Sequence, residues 1–489
     1  MKILLLLFFA ACISAGASDS FSETIKRALG RIKTTLNKDR LLAIRERMRA
    51  MKEKIKKELE LTPQQRAALD QRLQKLVAVS KVHPIEFDNT IDKINQRNGI
   101  WNLLYQGDIV LTERQANEIV EERERRDRKE RQAYRDEYYP EYLWTNGTVY
   151  YSFFNATQSV QGLFKKGALE WQNYTCLNFF EKPDAKERIE VIIEEGCWSY
   201  VGNIHEVQSL SLGYGCETIG TAAHEIGHAL GFFHTHSRHD RNRYIQIDTR
   251  NIQSTMLDQF QKETRRTNYN YGLPYDYGSV MHYGSKSFSS NGNDTMVPFN
   301  EKYTDTIGSP FVSFYELLMM NIHYSCFDKC KHKHTTVRCH MGGFPNPRDC
   351  SKCVCPGGYG GRFCNERPKG CGKILYAKSN EQLFVDVVGD PAVTEVANDE
   401  YLKCHYWIQA PRGRRVEIQF GNFTDGLATD GCYWAGVELK MQRDQRLTGF
   451  RLCSPAYAGK IYRSEGGMVP VITYSRVWEV ETILQYRMI

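Results

Sequence analysis

The sequence predicts a multidomain protein: a helical leader, a domain of helices and strands, a small disulfide-rich module and an all-β module. Three observations carry this expectation. At 489 residues the chain is too long for a single hydrophobic core. Its texture changes near Tyr138, from runs rich in Lys, Arg, Glu and Leu to aromatic and β-branched runs. Its cysteines fall at three densities: sparse at 176, 197, 216 and 326, six crowded between 330 and 364, and four at 371, 404, 432 and 453.

The chain opens "MKILLLLFFAACISAGASDS". Lys2 is a positive start, Ile3 to Ile13 an apolar stretch, and Ala15-Gly16-Ala17 a small-residue cleavage signature. Residues 1–17 therefore read as a secretory signal, too short to span a bilayer, and no later stretch is apolar enough to do so. A secreted, extracellular protein is expected. The cysteine count agrees: Cys12 leaves with the signal, and the remaining fourteen are an even set. Five N-x-[ST] sequons, at Asn146, Asn155, Asn173, Asn293 and Asn422, are candidate glycosylation sites. The net charge of +7 is local: residues 18–131 carry 26 Lys and Arg against 19 Asp and Glu, and the rest is close to neutral. Nucleic acid is therefore not an expected partner.

Between residues 21 and 80, apolar residues recur at helical spacing, as at Leu41, Ile44, Met48, Met51 and Ile55. The pattern predicts solvated amphipathic helices, with a coiled-coil partner helix as the alternative. "ERRDRKERQAYRD" follows, with Arg128 and Arg131 framing an R-x-x-R site in a charged run. Exposed polar segments are where proteases cut, so residues 18–131 read as a leader removed after Arg131. Beyond it, "TVYYSFF" and "RIEVIIEE" predict strands, and "VQGLFKKGALEWQNY" predicts a helix.

"HEIGHALGFFH" carries the chemistry. His224 and His228, four apart on an apolar helix, present both imidazoles on one face. Gly231 lets the backbone turn so that His234 approaches from a third direction. Three imidazoles leave an open position on one Zn²⁺, as a catalytic site requires. Glu225 is placed to take a proton from a water that the metal activates. His236 and His239 fall outside the spacing and read as surface or supporting groups. Downstream, "YDYGSVMHYG" supplies a methionine turn, with Met281 as an apolar floor and Tyr283 within reach of the metal or a developing oxyanion.

These motifs, with "GCWSYVG" and "SRHDR", resemble the astacin family of the metzincins over residues 132–326. The resemblance implies a two-lobed α+β catalytic domain with zinc at the bottom of a cleft, and peptide-bond hydrolysis. It implies the pairs Cys176–Cys326 and Cys197–Cys216, and it makes Tyr283 a fifth zinc ligand that swings away when substrate binds. "NLLYQGDIVLT" resembles the F-x-G-D stretch of astacin pro-segments, Tyr105 replacing Phe, and implies that Asp108 caps the zinc in the zymogen. Two positions depart from the family. Thr235 stands where a Glu usually follows the third histidine and helps bury the new N-terminus. "IGSPF", with Ser309 and Pro310, replaces I-G-Q-R, so the family's preference for acidic residues after the scissile bond is not implied.

Residues 327–370 cannot build a stable core without staples. The spacing of Cys330, Cys339, Cys350, Cys353, Cys355 and Cys364, ending in "CPGGYGGRFC", resembles an EGF-like domain, with a zinc knuckle as the alternative. The resemblance implies the pairs 330–350, 339–353 and 355–364. Residues 371–489 alternate strand-like runs with turns, and their cysteines pair in sequence order as Cys371–Cys404 and Cys432–Cys453. This part resembles a CUB domain, a sandwich used for protein contacts. The module order and "HTHSRHDR" resemble nematode astacins, implying cuticle, eggshell or matrix proteins as substrates. The leading expectation is a secreted zinc endopeptidase made as a zymogen. The alternative is a catalytically silent binding protein that docks through its EGF-like and CUB modules.

Overall fold

The computed structural model describes residues 34–79, 90–124 and 139–489, apart from 332, 334, 335 and 395. The signal sequence, with Cys12, and the Arg128–Arg131 site lie outside the described residues. A six-stranded sheet organises the catalytic domain. Its strands are β1 (Ile109–Val110), β2 (Thr148–Phe154), β3 (Asn178–Glu181), β4 (Arg188–Ile192), β5 (Cys197–Tyr200) and β6 (Val207–Leu212). The spatial order is β1-β5-β6-β4-β2-β3, and only β5 and β6 run antiparallel to one another. The edge strand β1 comes from the leader, pairing Ile109 with Ser199 and Val110 with Tyr200.

Two helices pack beside the sheet: Gln158–Gln172, and Ile219–Ala229, which carries the zinc-motif residues. Thr218 starts the second, its hydroxyl accepting from the Thr221 amide at 3.1 Å. The helices approach closely because Gly167 faces Ala222: a Cβ on Gly167 would lie 2.8 Å from that of Ala222. The Trp171 indole, wholly buried, donates to the Ala223 carbonyl at 2.9 Å. Disulfides join Cys176 to Cys326, across the ends of the domain, and Cys197 to Cys216, beside β5.

The leader is not a set of solvated helices. Helices Lys38–Ala50 and Lys52–Leu59 bury Leu41, Ile44, Met48, Ile55 and Leu59, and the second packs on the segment Ser254–Phe260. Arg45 and Asp258, both buried, form an ion pair across this contact. The amphipathic pattern marks the apolar stripe correctly; the catalytic domain is what covers it.

The small module holds one hairpin, Phe344–Asn346 with Asp349–Val354, and the disulfides Cys330–Cys350, Cys339–Cys353 and Cys355–Cys364. The C-terminal module is a sandwich of a five-stranded and a four-stranded sheet, filled by Ile418, Phe420, Val437, Leu439, Val471 and Leu484. Its disulfides are Cys371–Cys404 and Cys432–Cys453. The sandwich docks on the catalytic domain through polar contacts. Asp430 accepts from the Ser285 hydroxyl and the Lys286 amide, the Arg451 guanidinium donates to the Ser309 hydroxyl at 2.7 Å, and the Thr448 amide donates to Asp276.

Gly227 tests the packing under the zinc motif. A Cβ there would lie 2.6 Å from the Met281 sulfur and 3.2 Å from Trp171. Gly227→Ala should destabilise the protein by about 1–3 kcal/mol through overpacking. Gly162, on the neighbouring helix, has nothing within 4 Å of an added methyl, so Gly162→Ala should be neutral or stabilising. Thermal unfolding of both variants checks the contrast.

Candidate metal centre

Four side chains converge at the foot of the cleft. The ligand atoms of Asp108, His224, His228 and His234 all lie within 4.8 Å of one another, and all four residues are buried. Each imidazole is oriented from behind. Nδ1 of His224 donates to the Val280 carbonyl at 2.7 Å, Nδ1 of His228 to the Phe232 carbonyl at 2.6 Å, and Nδ1 of His234 to Oε1 of Gln106 at 2.9 Å. A proton held on each Nδ1 leaves the Nε2 lone pair turned inward, the tautomer a metal ligand needs. Gly231, at φ +106°, makes the turn that brings His234 round, and a Cβ there would crowd His323 at 3.1 Å.

Asp108 closes the centre from the leader. Its Oδ2 lies 3.1 Å from Nε2 of His224, 3.1 Å from Nε2 of His234, and accepts from the Tyr283 hydroxyl at 2.5 Å. Three local features seat it. Strand β1 begins at the next residue, and the Asp108 carbonyl accepts from the Ser199 amide. Asn95, fully buried, donates to the Gly107 carbonyl at 2.9 Å and exchanges hydrogen bonds with the Cys197 backbone. Gly107 adopts φ +98°, and a Cβ there would strike Phe288 at 2.7 Å and the Tyr283 hydroxyl at 3.2 Å.

Burial sets the protonation states. It pulls the imidazoles of His228, His236 and His234 down, the last to about 3, and that of His282 to about 4. Burial alone would push Asp108 up, but His234 and His228 outweigh it and hold its carboxyl well below the usual range. Burial, and then the charge of Asp108, push Glu225 well above its ordinary value. Neither Glu225 oxygen has a hydrogen-bond partner among the described residues. Burial and Asp108 likewise keep the Tyr283 phenol protonated.

The family model described as Astacin, a peptidase family, matches residues 136–325. Zinc metalloproteinase nas-31 of Caenorhabditis elegans is 46% identical over 404 residues, which is 82% of this chain and 66% of that protein. Zinc metalloproteinase nas-29 of the same organism is 32% identical over 424 residues, covering 81% of this chain and 78% of that protein. The chain belongs to the astacin family. Among solved structures, the chain is similar to high choriolytic enzyme 1, a hatching enzyme zinc-protease of the medaka fish Oryzias latipes. That similarity is 29% identity with a TM-score of 0.35, over 37% of this chain and 92% of that one. The chain spans somewhat under two thirds of the length of nas-31.

In this astacin the three imidazoles and a fourth oxygen position suit zinc in number and kind. Met281 sits under the helix, its carbonyl accepting from the Thr235 amide at 2.8 Å. The departure at Thr235 leaves a different anchor. Its hydroxyl meets that of Ser279, which donates to Glu316, and Glu316 also accepts from the Val280 and Met281 amides. The S-x-x-E spacing of Ser313 and Glu316 was a readable signal for that carboxylate, which forms a capping box.

Of the two readings of His236 and His239, surface or supporting groups, burial excludes the first. His236 is buried and stacks on His234 and Tyr283, while His239 is buried beside the Asn270 amide. Sequence patterns also pass over Asn95 and Gln106, although Gln106 sits within "YQGD". A cavity of about 250 Å³ opens beside Tyr283, bounded by Pro310, by Ile91 of the leader, and by Tyr433 and Trp434 of the sandwich. All five sequon asparagines are exposed.

The depressed histidines predict a pH dependence for the metal-free protein. Below about 6.5 the unfolded chain protonates imidazoles that the fold keeps neutral, so stability falls as pH drops. Glu225, Glu316, Asp276 and Glu170 oppose this as raised carboxyls, against five lowered imidazoles with His405 included. Urea midpoints of chelator-treated protein should therefore fall between pH 6.5 and about 4, by up to about 1.4 kcal/mol per pH unit for each net proton taken up. A flat profile would contradict the assignment of neutral imidazoles.

Proposed function

We propose that the chain is the latent precursor of a secreted zinc endopeptidase that cleaves extracellular matrix or cuticle proteins. The observation that carries this reading is the Asp108 carboxylate seated among three inward-facing imidazoles and the Tyr283 hydroxyl. Seven disulfides support an oxidising destination, and no helix among the described residues is long and apolar enough to cross a membrane. On this reading residues 18–131 are a pro-segment ending at Arg131, followed by a peptidase domain over 132–326, an EGF-like module over 327–370 and a CUB module over 371–489.

His224, His228 and His234 would hold the metal. Bound zinc would supply a Lewis acid that polarises a peptide carbonyl and brings the pKa of a water towards about 7. Burial first, and the Asp108 charge second, raise the Glu225 carboxyl, and departure of the pro-segment removes the second of these. Glu225 then takes a proton as the water oxygen bonds to the carbonyl carbon, and returns it to the nitrogen as the C–N bond breaks. Tyr283, released from Asp108, can donate its phenolic proton to the oxygen on which negative charge develops. The exposed asparagines suit glycosylation, and the EGF-like and CUB modules suit docking to protein partners.

Glu225→Ala in the matured enzyme should keep one zinc but lose roughly 10²- to 10⁴-fold in kcat. Full chelator-sensitive activity in that variant would remove Glu225 from its role. A wild-type enzyme without peptidase activity would favour a silent binding protein instead. Asp108→Ala should leave the pro-segment attached yet allow the uncleaved precursor to turn over a quenched peptide. Gly107→Ala should act in the same direction, because its Cβ displaces the loop. Unchanged latency in both would place the block elsewhere.

A further inference from the structure

One loop of the C-terminal sandwich forms a wall of the cleft. Residues 429–434 end in two adjacent aromatics, Tyr433 and Trp434. Three contacts seat the loop. Asp430 accepts from the Ser285 hydroxyl and the Lys286 amide, in the segment that follows Tyr283. Gly431, at φ +68°, lies so close to the catalytic domain that a Cβ there would strike the Gly308 carbonyl, two residues before Pro310. The Cys432–Cys453 disulfide staples the loop to the body of the sandwich. The aromatic pair is fixed by a side chain that does not line the cavity. The Arg476 guanidinium lies 5.3 Å from the centre of the Tyr433 ring and 5.7 Å from that of Trp434, and it donates to the Tyr433 hydroxyl at 3.0 Å.

These contacts hold both aromatics, together with Val280, Tyr283 and Pro310, around the cavity of about 250 Å³ beside the centre. Ile91 of the leader borders the same cavity, half-buried and packed against the buried apolar clusters. In the precursor an aliphatic side chain therefore already stands against this wall. A cavity of roughly 150 Å³ is enough to hold a benzene ring, so this one admits a large side chain. Two ring systems and a proline reward an apolar group most, because they offer it area to bury. We infer that Tyr433 and Trp434 are specificity-determining residues of the cleft. Through them the sandwich selects a bulky apolar substrate side chain, Phe or Leu, at one position next to the scissile bond. The inference rests on the proposed zymogen reading, in which Ile91 leaves with the pro-segment and opens the position to substrate.

Peptide-library profiling of the matured, zinc-loaded enzyme with all its modules tests it. At one position next to the scissile bond, Phe and Leu should exceed Ala by roughly tenfold or more in kcat/KM. Tyr433→Ala and Trp434→Ala should each cut that ratio by roughly threefold or more, with zinc content unchanged. A role in stability alone would lower the rate for every peptide by the same factor and leave the ratio as it was. If the variants do not fold, a hydroxamate peptide carrying p-benzoylphenylalanine at that position, photolysed on the wild-type enzyme, makes the same test. Its label should fall on Tyr433 or Trp434. Chelator-sensitive cleavage with no apolar preference, a ratio that both variants retain, or a label confined to residues 132–326 overturns the inference and leaves the zymogen reading standing. A matured enzyme that cleaves nothing overturns both.

Discussion

Three imidazoles turned toward one point are the constraint on which the rest of this structure depends. A histidine ring that is merely buried can flip and present either nitrogen; here each Nδ1 is committed to an oxygen behind it. Two of those oxygens, on Val280 and Phe232, are backbone carbonyls of the catalytic domain itself. The methionine turn, the bend at Gly231 and the Glu316 carboxylate that ties the Val280 and Met281 amides are the means of keeping them in place. The third oxygen, on Gln106, lies in the segment that carries Asp108, so the segment that covers the centre also completes it.

That arrangement explains why the leader is built as part of the fold. A carboxylate can be held in a buried site only where its charge is answered, and the inward-facing imidazoles and Tyr283 answer it. Getting it there takes rigid elements on both sides of Asp108. Strand β1 extends the catalytic sheet, and Asn95 clamps the loop to β5. The helical part of the leader adds an apolar contact and the buried Arg45–Asp258 pair. Removing one partner of a buried pair is costly, so such a pair favours a single docking geometry. Glu225 carries the counterpart of this design: among the described residues its oxygens have no hydrogen-bond partner, and burial, then the charge of Asp108, raise its carboxyl.

Much of the centre was legible in the sequence because its chemistry is written in short-range spacing. A four-residue interval on a helix puts His224 and His228 together whatever the surroundings, and a glycine three residues on supplies the turn for His234. Strand texture likewise located β2, β4 and the sandwich. What the spacing could not show is which surface covers which. The stripe from Leu41 to Ile55 looks the same whether water or a protein lies over it; its second helix proved to be docked on residues 254–260, and Leu41 packs with Ile100, Val110 and Trp198. His236 lies outside the ligand spacing yet is stacked into the centre, because tertiary packing carries no local period. The same holds for Gln106 and for the sandwich residues Tyr433 and Trp434 that bound the cleft.

X-ray absorption at the zinc edge of the purified, uncleaved precursor tests the central claim most directly. The account predicts one zinc per chain, with three imidazole nitrogens at about 2.0–2.1 Å and carboxylate oxygen at about 2.0–2.2 Å. It also predicts that the oxygen shell alone changes when the leader is removed. Fewer than three imidazoles, sulfur at about 2.3 Å, or an identical shell before and after removal would contradict it.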